Sequence, residues 1–262
     1  GSIDPALYTN LLAKSYNAIK GANANTLVIS GAPAPTGYFG GCSPAGCDDN
    51  AYIAGMAAAG AANYVDCIGL HYNEGILGPS ERDGSYRANF VQFDKVRGGR
   101  IANNKGRGGD TEDIVSIFAS GGTADRPLLI EDNQFEGLDW TSDSGSGIAL
   151  GDGGSDYTIA RRNVLLNPGQ AGIFIAGGTN NSIIDNTVYG ERRPASNVGI
   201  YVWNQSDGPC ADNEVRDNRV RWSREDGEPN PAWDQGNCGP VAGWSTNDWE
   251  ATLDPASLRV EL

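Results

Sequence analysis

The chain has 262 residues, with 33 Asp and Glu against 19 Lys and Arg and a formal net charge of −14. A surplus of this sign argues against a nucleic-acid partner, because phosphate backbones recruit basic surfaces. No stretch of the sequence is long and apolar enough to span a membrane, so we expect neither nucleic acid nor a membrane as a partner.

Helices and strands alternate over the first 72 residues. Asp4 suits a helix N-cap and Pro5 suits the first helical turn. The pattern then predicts a strand over 26–30, a helix over 49–61 and a strand over 65–72. This order indicates an α/β segment of βαβ type with parallel strands.

The five cysteines predict disulfide bonds and export. Cys42 and Cys47 bracket a short loop, whereas Cys210 and Cys238 lie in turn-rich segments. This placement favours two disulfides, a secreted or periplasmic protein, and a buried Cys67 that acts as a small apolar residue. A zinc site is the weaker interpretation, because no second cysteine pair completes the one at Cys42 and Cys47.

A repeat dominates the second half of the chain. The pattern apolar-x-x-Asn-x-apolar recurs at Asn133, Asn163, Asn186 and Asn218, at intervals of 30, 23 and 32 residues, with an earlier copy at Asn104. Apolar runs that suit strands precede the copies, at 117–119, 148–150, 173–175 and 200–202. The period predicts a right-handed parallel β-helix of about four to five coils over residues 89–262.

The repeated asparagines have a structural explanation. At the same turn of every coil, an Asn amide bonds its own backbone and the asparagines above and below, and it tolerates a left-handed backbone. We therefore expect these side chains to satisfy buried turn groups rather than to catalyse a reaction.

Two resemblances extend this interpretation. The runs Leu-Val-Ile-Ser-Gly-Ala-Pro at 27–33, Gly-Tyr-Phe-Gly-Gly-Cys at 37–42 and Cys-Ile-Gly-Leu-His-Tyr-Asn at 67–73 resemble the middle of a TIM-barrel glycoside hydrolase. Such enzymes use two carboxyl groups about 5–5.5 Å apart. The resemblance covers only residues 4–77 and leaves Glu74 as the single candidate carboxylate, so we expect no working glycosidase in this segment.

The second resemblance covers residues 89–262. Phe-Asp-Lys-Val at 93–96, Glu-Asp-Ile-Val-Ser at 112–116 and Asn-Val-Gly-Ile-Tyr-Val-Trp-Asn-Gln at 197–205 resemble bacterial right-handed parallel β-helix repeat proteins. The chain thus resembles a chimera, with an α/β fragment over 1–86 and a β-helix with a C-terminal cap over 87–262. We expect the first segment to cover the open end of the solenoid, and the tail from Trp222 to cover the other.

Strand alternation predicts an external row of aromatic side chains. If Ile117, Ile148, Ile173 and Ile200 point inward, then Phe118, Phe174 and Tyr201 point outward and stand one above another. Sugar rings stack on such a platform, which Trp203 and Gln205 would extend. The alternative is that a loop folds back over these rings and buries them.

Carboxylates gather at the edges of the same face. Glu112 and Asp113 precede one strand and Asp152 follows the next, with Asp110 and Asp143 nearby. Crowded carboxylates suit either Ca²⁺ binding or acid–base catalysis, whereas ordinary solvated turns are the alternative. Basic residues of the first coil could remove a proton from the substrate in a lyase reaction, or they could form ion pairs with the surplus acidic residues. These basic residues are Lys95, Arg97, Arg100, Lys105 and Arg107.

These features favour a carbohydrate-active β-helix that binds a polysaccharide or oligosaccharide on its outer face. Glu112, Asp113 and Asp152 are the candidate catalytic residues, and the sequence leaves lyase, hydrolase and binding-only functions open. The rival hypothesis is a noncatalytic recombined or engineered chimera. Fold analogy alone does not establish a reaction.

Overall fold

A computed structural model of the chain describes residues 4–33, 39–43, 45–69, 89–107, 111–137 and 145–261. The chain forms two compact units, residues 1–86 and residues 87–262. Glu74, Asp110 and Asp143 lie outside the described residues.

The described part of the first unit contains two α-helices. Helix α1 spans Pro5–Ala22, and the Asp4 side chain caps it by accepting hydrogen bonds from the backbone N–H groups of Ala6 and Leu7. Helix α2 spans Asp49–Ala58 and is followed by a 3₁₀ turn at Ala61–Asn63. The predicted strands meet only at one parallel bridge, between Ile29 and Cys67, and residues 70–72 lie outside the described residues.

The core of the first unit is small. Leu12, Met56 and Ala61 are buried together and contact Tyr8, Tyr52 and Tyr64. A disulfide joins Cys42 to Cys47 across the two-stranded hairpin Cys42–Ser43 and Gly46–Cys47. Cys67 is unpaired and half-buried, so the prediction that it is fully buried is wrong. Leu7, Leu11, Leu27 and Ile29 are more than half exposed.

The second unit is a parallel β-helix of three long sheets, as predicted. Sheet A contains Val91–Asp94, Asp113–Phe118, Ser146–Asp152, Ala171–Ile175, Val198–Val202 and Ala232–Asp234. Sheet B contains Gly99–Ala102, Leu128–Glu131, Thr158–Arg161, Ser182–Ile184 and Glu214–Arg216. Sheet C contains Lys105–Arg107, Gln134–Glu136, Val164–Leu166, Thr187–Gly190 and Arg219–Trp222. A short sheet pairs Gly178–Thr179 with Cys210–Ala211.

The core consists of apolar rows that run along the solenoid axis. In sheet A, Ile148, Ile173 and Ile200 are in register and fully buried, which confirms their predicted orientation. Ile117 is buried but belongs to a different row, because the register shifts between Ser116 and Phe118 and Val115 pairs with Ile148. Such an irregularity is a β-bulge, and the repeat pattern did not predict it.

A row of glycines brings sheet A close to sheet C. A Cβ atom on Gly147, Gly172 or Gly199 would lie 2.5–2.6 Å from a core methyl group of Leu165, Val188 or Val220, respectively. It would also collide with a backbone oxygen of the neighbouring coil. Only a residue without a side chain fits at these three positions, which explains why a Gly precedes the apolar runs at 148–150, 173–175 and 200–202.

The asparagines form one continuous hydrogen-bonded ladder at the turn between sheets B and C. We call the series Asn104, Asn133, Asn163, Asn186, Asn218 and Asn247 the asparagine ladder. Each side-chain Nδ2 donates to the Oδ1 of the next member, at 2.8–3.0 Å. The predicted structural role is therefore observed, but the left-handed residue is the one before the Asn in five of the six members, for example Asp132, Arg162 and Asp185.

The C-terminal tail packs against the last coils. Trp222 and Cys238 are buried in the core, Trp244 and Trp249 pack against each other with ring centroids 5.0 Å apart, and a disulfide joins Cys210 to Cys238. Farther on, the Nε2 atom of Gln134 donates to the carbonyls of Leu258 and Arg259. Three of the four tail tryptophans thus act as cap core, as predicted, but Trp233 does not.

Candidate functional site

One row of side chains on the outer face of sheet A is in register from coil to coil. It consists of Ser116, Ala149, Phe174, Tyr201 and Trp233, in the order of the coils. The predicted aromatic row is therefore wrong at its first position. The β-bulge places Ser116 there, and Phe118 lies beside Asp152 instead.

The rings of Phe174 and Tyr201 stack face to face. Their centroids are 4.7 Å apart and their planes differ by 5°. Phe174 is only 9% exposed, whereas Tyr201 is half-buried and its hydroxyl accepts a hydrogen bond from Nε2 of Gln205 at 2.9 Å. Phe174 thus supports Tyr201 from below and presents little surface of its own, and Gln205 fixes the Tyr201 hydroxyl.

Three aromatic side chains are more exposed than Tyr201. Phe118 is 38% exposed, and Trp203 and Trp233 are each 40% exposed. The Trp203 and Trp233 rings meet edge to face at 5.7 Å, and Trp233 also contacts the ring of Tyr201 at 6.3 Å. Together, Tyr201, Trp203 and Trp233 form what we call the aromatic platform. Sequence reasoning missed Trp233, although its place in the final strand, after an outward Tyr201, was the available signal.

Asp113 is the most perturbed carboxyl group of this face. It is the first residue of its strand, and its side chain is hydrogen-bonded to Ser146 on the adjacent strand. Burial, together with the charges of Glu112 and Asp152, raises the pKa of Asp113 to about 7 against the lowering effect of the hydrogen bond with Ser146. A carboxyl group with this pKa is partly protonated near neutrality and can either donate or accept a proton.

The carboxylates and the aromatic platform belong to one electrostatic environment. Burial raises the pKa of Tyr201 to about 12, and the charges of Asp113 and Asp152 contribute to the rise. Glu112 and Asp152 are exposed, whereas Asp113 is partly buried. Asp113 begins its strand and Asp152 ends the adjacent one, yet their charges both act on Tyr201, and Asp113 is the least exposed of the three predicted catalytic residues.

Three of the five basic residues of the first coil, Arg100, Lys105 and Arg107, lie on other sheets. Arg100 lies on sheet B and pairs with Glu131 at 2.5 Å, and Arg107 lies on sheet C with Glu136 at 3.8 Å. Lys95 follows the first strand of sheet A and contacts Asp94 at 3.8 Å. The ion-pair alternative thus describes these side chains better than the lyase route.

The structure gives no direct support for a metal centre. Within the described ranges, no group of three or more His, Cys, Asp or Glu side chains is arranged to hold an ion. In the loop after Gly151, Ser155 donates to the carbonyls of Ile117 and Asp152, and Asp156 accepts hydrogen bonds from Thr179. These groups hold neighbouring coils together. Among the described helices, none has the length and apolar composition needed to cross a membrane.

A shallow cleft opens at one edge of sheet A. Its lining comes from the loops that precede three successive strands, with Gln170, Ser196, Asn197, Arg224 and Glu225 as polar members. It lies at the same strand ends as Asp113, but two to four coils farther along. Sequence reasoning did not identify it, because its residues come from loops without a repeated pattern.

Comparison with known proteins gives one match. A family model described as "Right handed beta helix region" matches residues 91–227, just over half of the chain. No curated protein and no solved structure matches the chain. The match lies outside residues 1–86, so it lends no support to the resemblance of that segment to a glycosidase barrel.

Proposed function

The chain belongs to the right-handed β-helix family, and from the site on sheet A we propose that it binds a polysaccharide on this face and cleaves it by hydrolysis, with Asp113 as the acid. One observation carries the proposal. Asp113 is a partly buried carboxyl group with a pKa of about 7, and its charge acts on Tyr201 of the aromatic platform.

The aromatic platform supports the binding half of the proposal. Tyr201, Trp203 and Trp233 come from two adjacent strands and the turn after one of them, so their rings are held by the rigid sheet. Exposed aromatic faces of this kind stack on the C–H faces of sugars, while the polar edges of the sugar stay in water. Gln205, beside the Tyr201 hydroxyl, supplies a hydrogen-bonding group at the rim.

The carboxylates support the catalytic half. In hydrolysis, Asp113 gives its proton to the leaving glycosidic oxygen as the bond between that oxygen and the anomeric carbon breaks. Asp152 or Glu112 takes a proton from the attacking water, whose oxygen bonds to the anomeric carbon. The raised pKa suits Asp113 to the acid role, because its proton is still present near neutral pH. Lyase chemistry is less well supported, since Arg100, Lys105 and Arg107 lie on other sheets.

Replacement of Asp113 tests the mechanism. With a polysaccharide that yields new reducing ends, we expect Asp113→Asn to lower kcat by about 10²–10⁴-fold with little change in KM, because the variant fills the same space but cannot supply the proton. Asp125→Asn, at an exposed turn, is the matched control and should act as the parent does. Parent-like turnover by Asp113→Asn would exclude Asp113 as the acid, and unsaturated products would indicate a lyase.

Two features bear on the rest of the chain. The two disulfides support export, as a secreted or periplasmic protein.

In residues 1–86, the exposed side chains of Leu7, Leu11, Leu27 and Ile29 form the kind of apolar surface that a barrel segment presents without its neighbouring strands. This surface favours a second candidate, a recombined chain without selected activity, which predicts neither binding nor products with any polysaccharide.

A further inference from the structure

Charged side chains are sorted among the three sheets of the β-helix. The strands of sheet A contain four aspartates, Asp94, Asp113, Asp152 and Asp234, and no Lys or Arg within the strand ranges given above. The strands of sheets B and C contain all the basic residues of the three long sheets, namely Arg100, Lys105, Arg107, Arg161, Arg216, Arg219 and Arg221.

Carboxylates on the other sheets hold many of these cations in place. Glu131 is buried and pairs with Arg100 and Arg161 from sheet B at 2.5 and 2.6 Å. Glu136 contacts Arg107 at 3.8 Å, and Glu214 contacts Arg216 at 2.8 Å. The arginines therefore stabilise turns and strands away from the outer face of sheet A.

Three cations near the strands of sheet A along the chain have acidic partners. Arg193 pairs with Glu191 at 3.0 Å, and Arg224 pairs with Asp226. Lys95, at the end of the first strand, contacts Asp94. The face thus combines exposed aromatic rings with a local excess of negative charge.

We infer that the outer face of sheet A selects uncharged glycans and rejects polyuronates, an inference that rests on the proposed function. A polyuronate carries a carboxylate on every sugar, and carboxylates laid along the coils would approach Asp113, Asp152 or Asp234 on strands that contain no Lys or Arg. An uncharged glycan meets no such repulsion and still stacks on the aromatic platform.

Binding measurements with soluble polymers test the inference. The probes are a neutral β-glucan, a neutral galactomannan and polygalacturonate of similar chain length, each titrated against the full chain at low and at high salt. We expect at least one neutral polymer to bind with little salt dependence. Polygalacturonate should bind at least about tenfold more weakly than that neutral polymer at low salt. The difference in affinity should become smaller at high salt, because salt screens the charges.

A pair of variants locates the source of the selectivity. Asp94→Asn combined with Asp234→Asn removes two charges from the face, and we expect it to strengthen polygalacturonate binding several-fold while neutral binding stays unchanged. Asp125→Asn combined with Glu250→Gln removes two exposed charges elsewhere and should leave both affinities unchanged.

Three results would overturn the inference. Polygalacturonate that binds as well as the neutral polymers contradicts it while leaving the proposed glycan binding intact. Equal gains in the two double variants would assign the selectivity to the net charge of −14 instead of to this face. Binding of none of the polymers would refute the proposed function and this inference together.

Discussion

At the scale of single residues, Asp113 illustrates how position determines chemistry. Glu112 is its neighbour in sequence but is exposed, whereas Asp113 begins a strand and contacts Ser146 on the adjacent one. The loss of water around Asp113 disfavours its charged form, and nearby Glu112 and Asp152 add repulsion. An Asp side chain in a solvated turn would not have a raised pKa.

The pKa of Asp113 predicts a pH dependence of stability. Its pKa rises from 3.8 to about 7 on folding, so between these pH values the folded chain holds a proton that the unfolded chain releases. The free energy of unfolding should therefore fall as pH rises from about 4 to about 7, by on the order of 2–4 kcal/mol from this group.

Comparison with Asp113→Asn isolates this contribution, because the other titrating groups are common to both proteins. Chemical denaturation of the second unit at pH 4.5, 6 and 8 should show the variant gaining stability relative to the parent as pH rises. A constant difference across this range would mean that Asp113 ionises in the folded chain as it does in water.

The sequence predicted some of these residues better than others. Glu112, Asp113 and Asp152 followed from their places at strand ends, and the charges of Glu112 and Asp152 do act on Asp113. Phe118 was misplaced because a β-bulge leaves no mark in an apolar alternation. The burial of Phe174 depends on the stacked Tyr201 ring of the next coil, a contact between residues far apart in sequence.

At the scale of the structural element, the asparagine ladder joins neighbouring coils through side chains as well as strands. Asn163 is fully buried; its Oδ1 accepts from both the backbone N–H and the Nδ2 of Asn133, and its Nδ2 donates to Asn186 Oδ1 and to the Ile130 carbonyl. Every polar atom of the amide is satisfied, so the buried turn has no unpaired side-chain group.

We expect Asn163→Ala to destabilise the second unit by about 2–4 kcal/mol. The change leaves the buried backbone N–H of Asn133 without its partner and removes one hydrogen bond each from Asn133 Nδ2, the Ile130 carbonyl and Asn186 Oδ1. Asn104→Ala is the matched control at the end of the ladder. Asn104 is half-buried and its Nδ2 donates only to Ala102 and Asn133, so its loss should cost about 1 kcal/mol. Equal losses in urea denaturation would show that the ladder does not act as a buried network.

The solenoid itself was predictable because its elements repeat. The interval between asparagines gave the coil, and the apolar runs gave the inward rows of sheet A. The sequence did not reveal that Asp132, Arg162 and Asp185 adopt the left-handed conformation, since Arg has no preference for it. The geometry of the turn imposes that conformation, and the ladder bonds on either side maintain it.

At the scale of the whole molecule, the disulfides act on different units. Cys42 and Cys47 are five residues apart in the first unit, whereas Cys210 and Cys238 are 28 residues apart and tie the last full coil to the tail. Cys238 is fully buried in the β-helix core. A longer closed loop restricts the unfolded chain more, so the second bond should matter more for stability.

We expect Cys210→Ala combined with Cys238→Ala to lower the Tm of the second unit by about 4–12 °C, which corresponds to about 2–4 kcal/mol for a unit of this size. The matched control, Cys42→Ala combined with Cys47→Ala, should leave that transition in place. Calorimetry of the parent and both variants provides the measurement. An unchanged β-helix transition in the first variant would show that the tail holds its position without the bond.

The asparagine ladder also bears on how such a molecule can evolve. Successive members are 29, 30, 23, 32 and 29 residues apart, yet every side-chain bond between them is 2.8–3.0 Å long. Coils of different length therefore share one register, and their extra residues emerge as loops. A gene segment that runs from one ladder asparagine to the next is a unit that can be duplicated or deleted without breaking the register. Tandem duplication of that segment would lengthen the outer face by about 4.8 Å for each added coil.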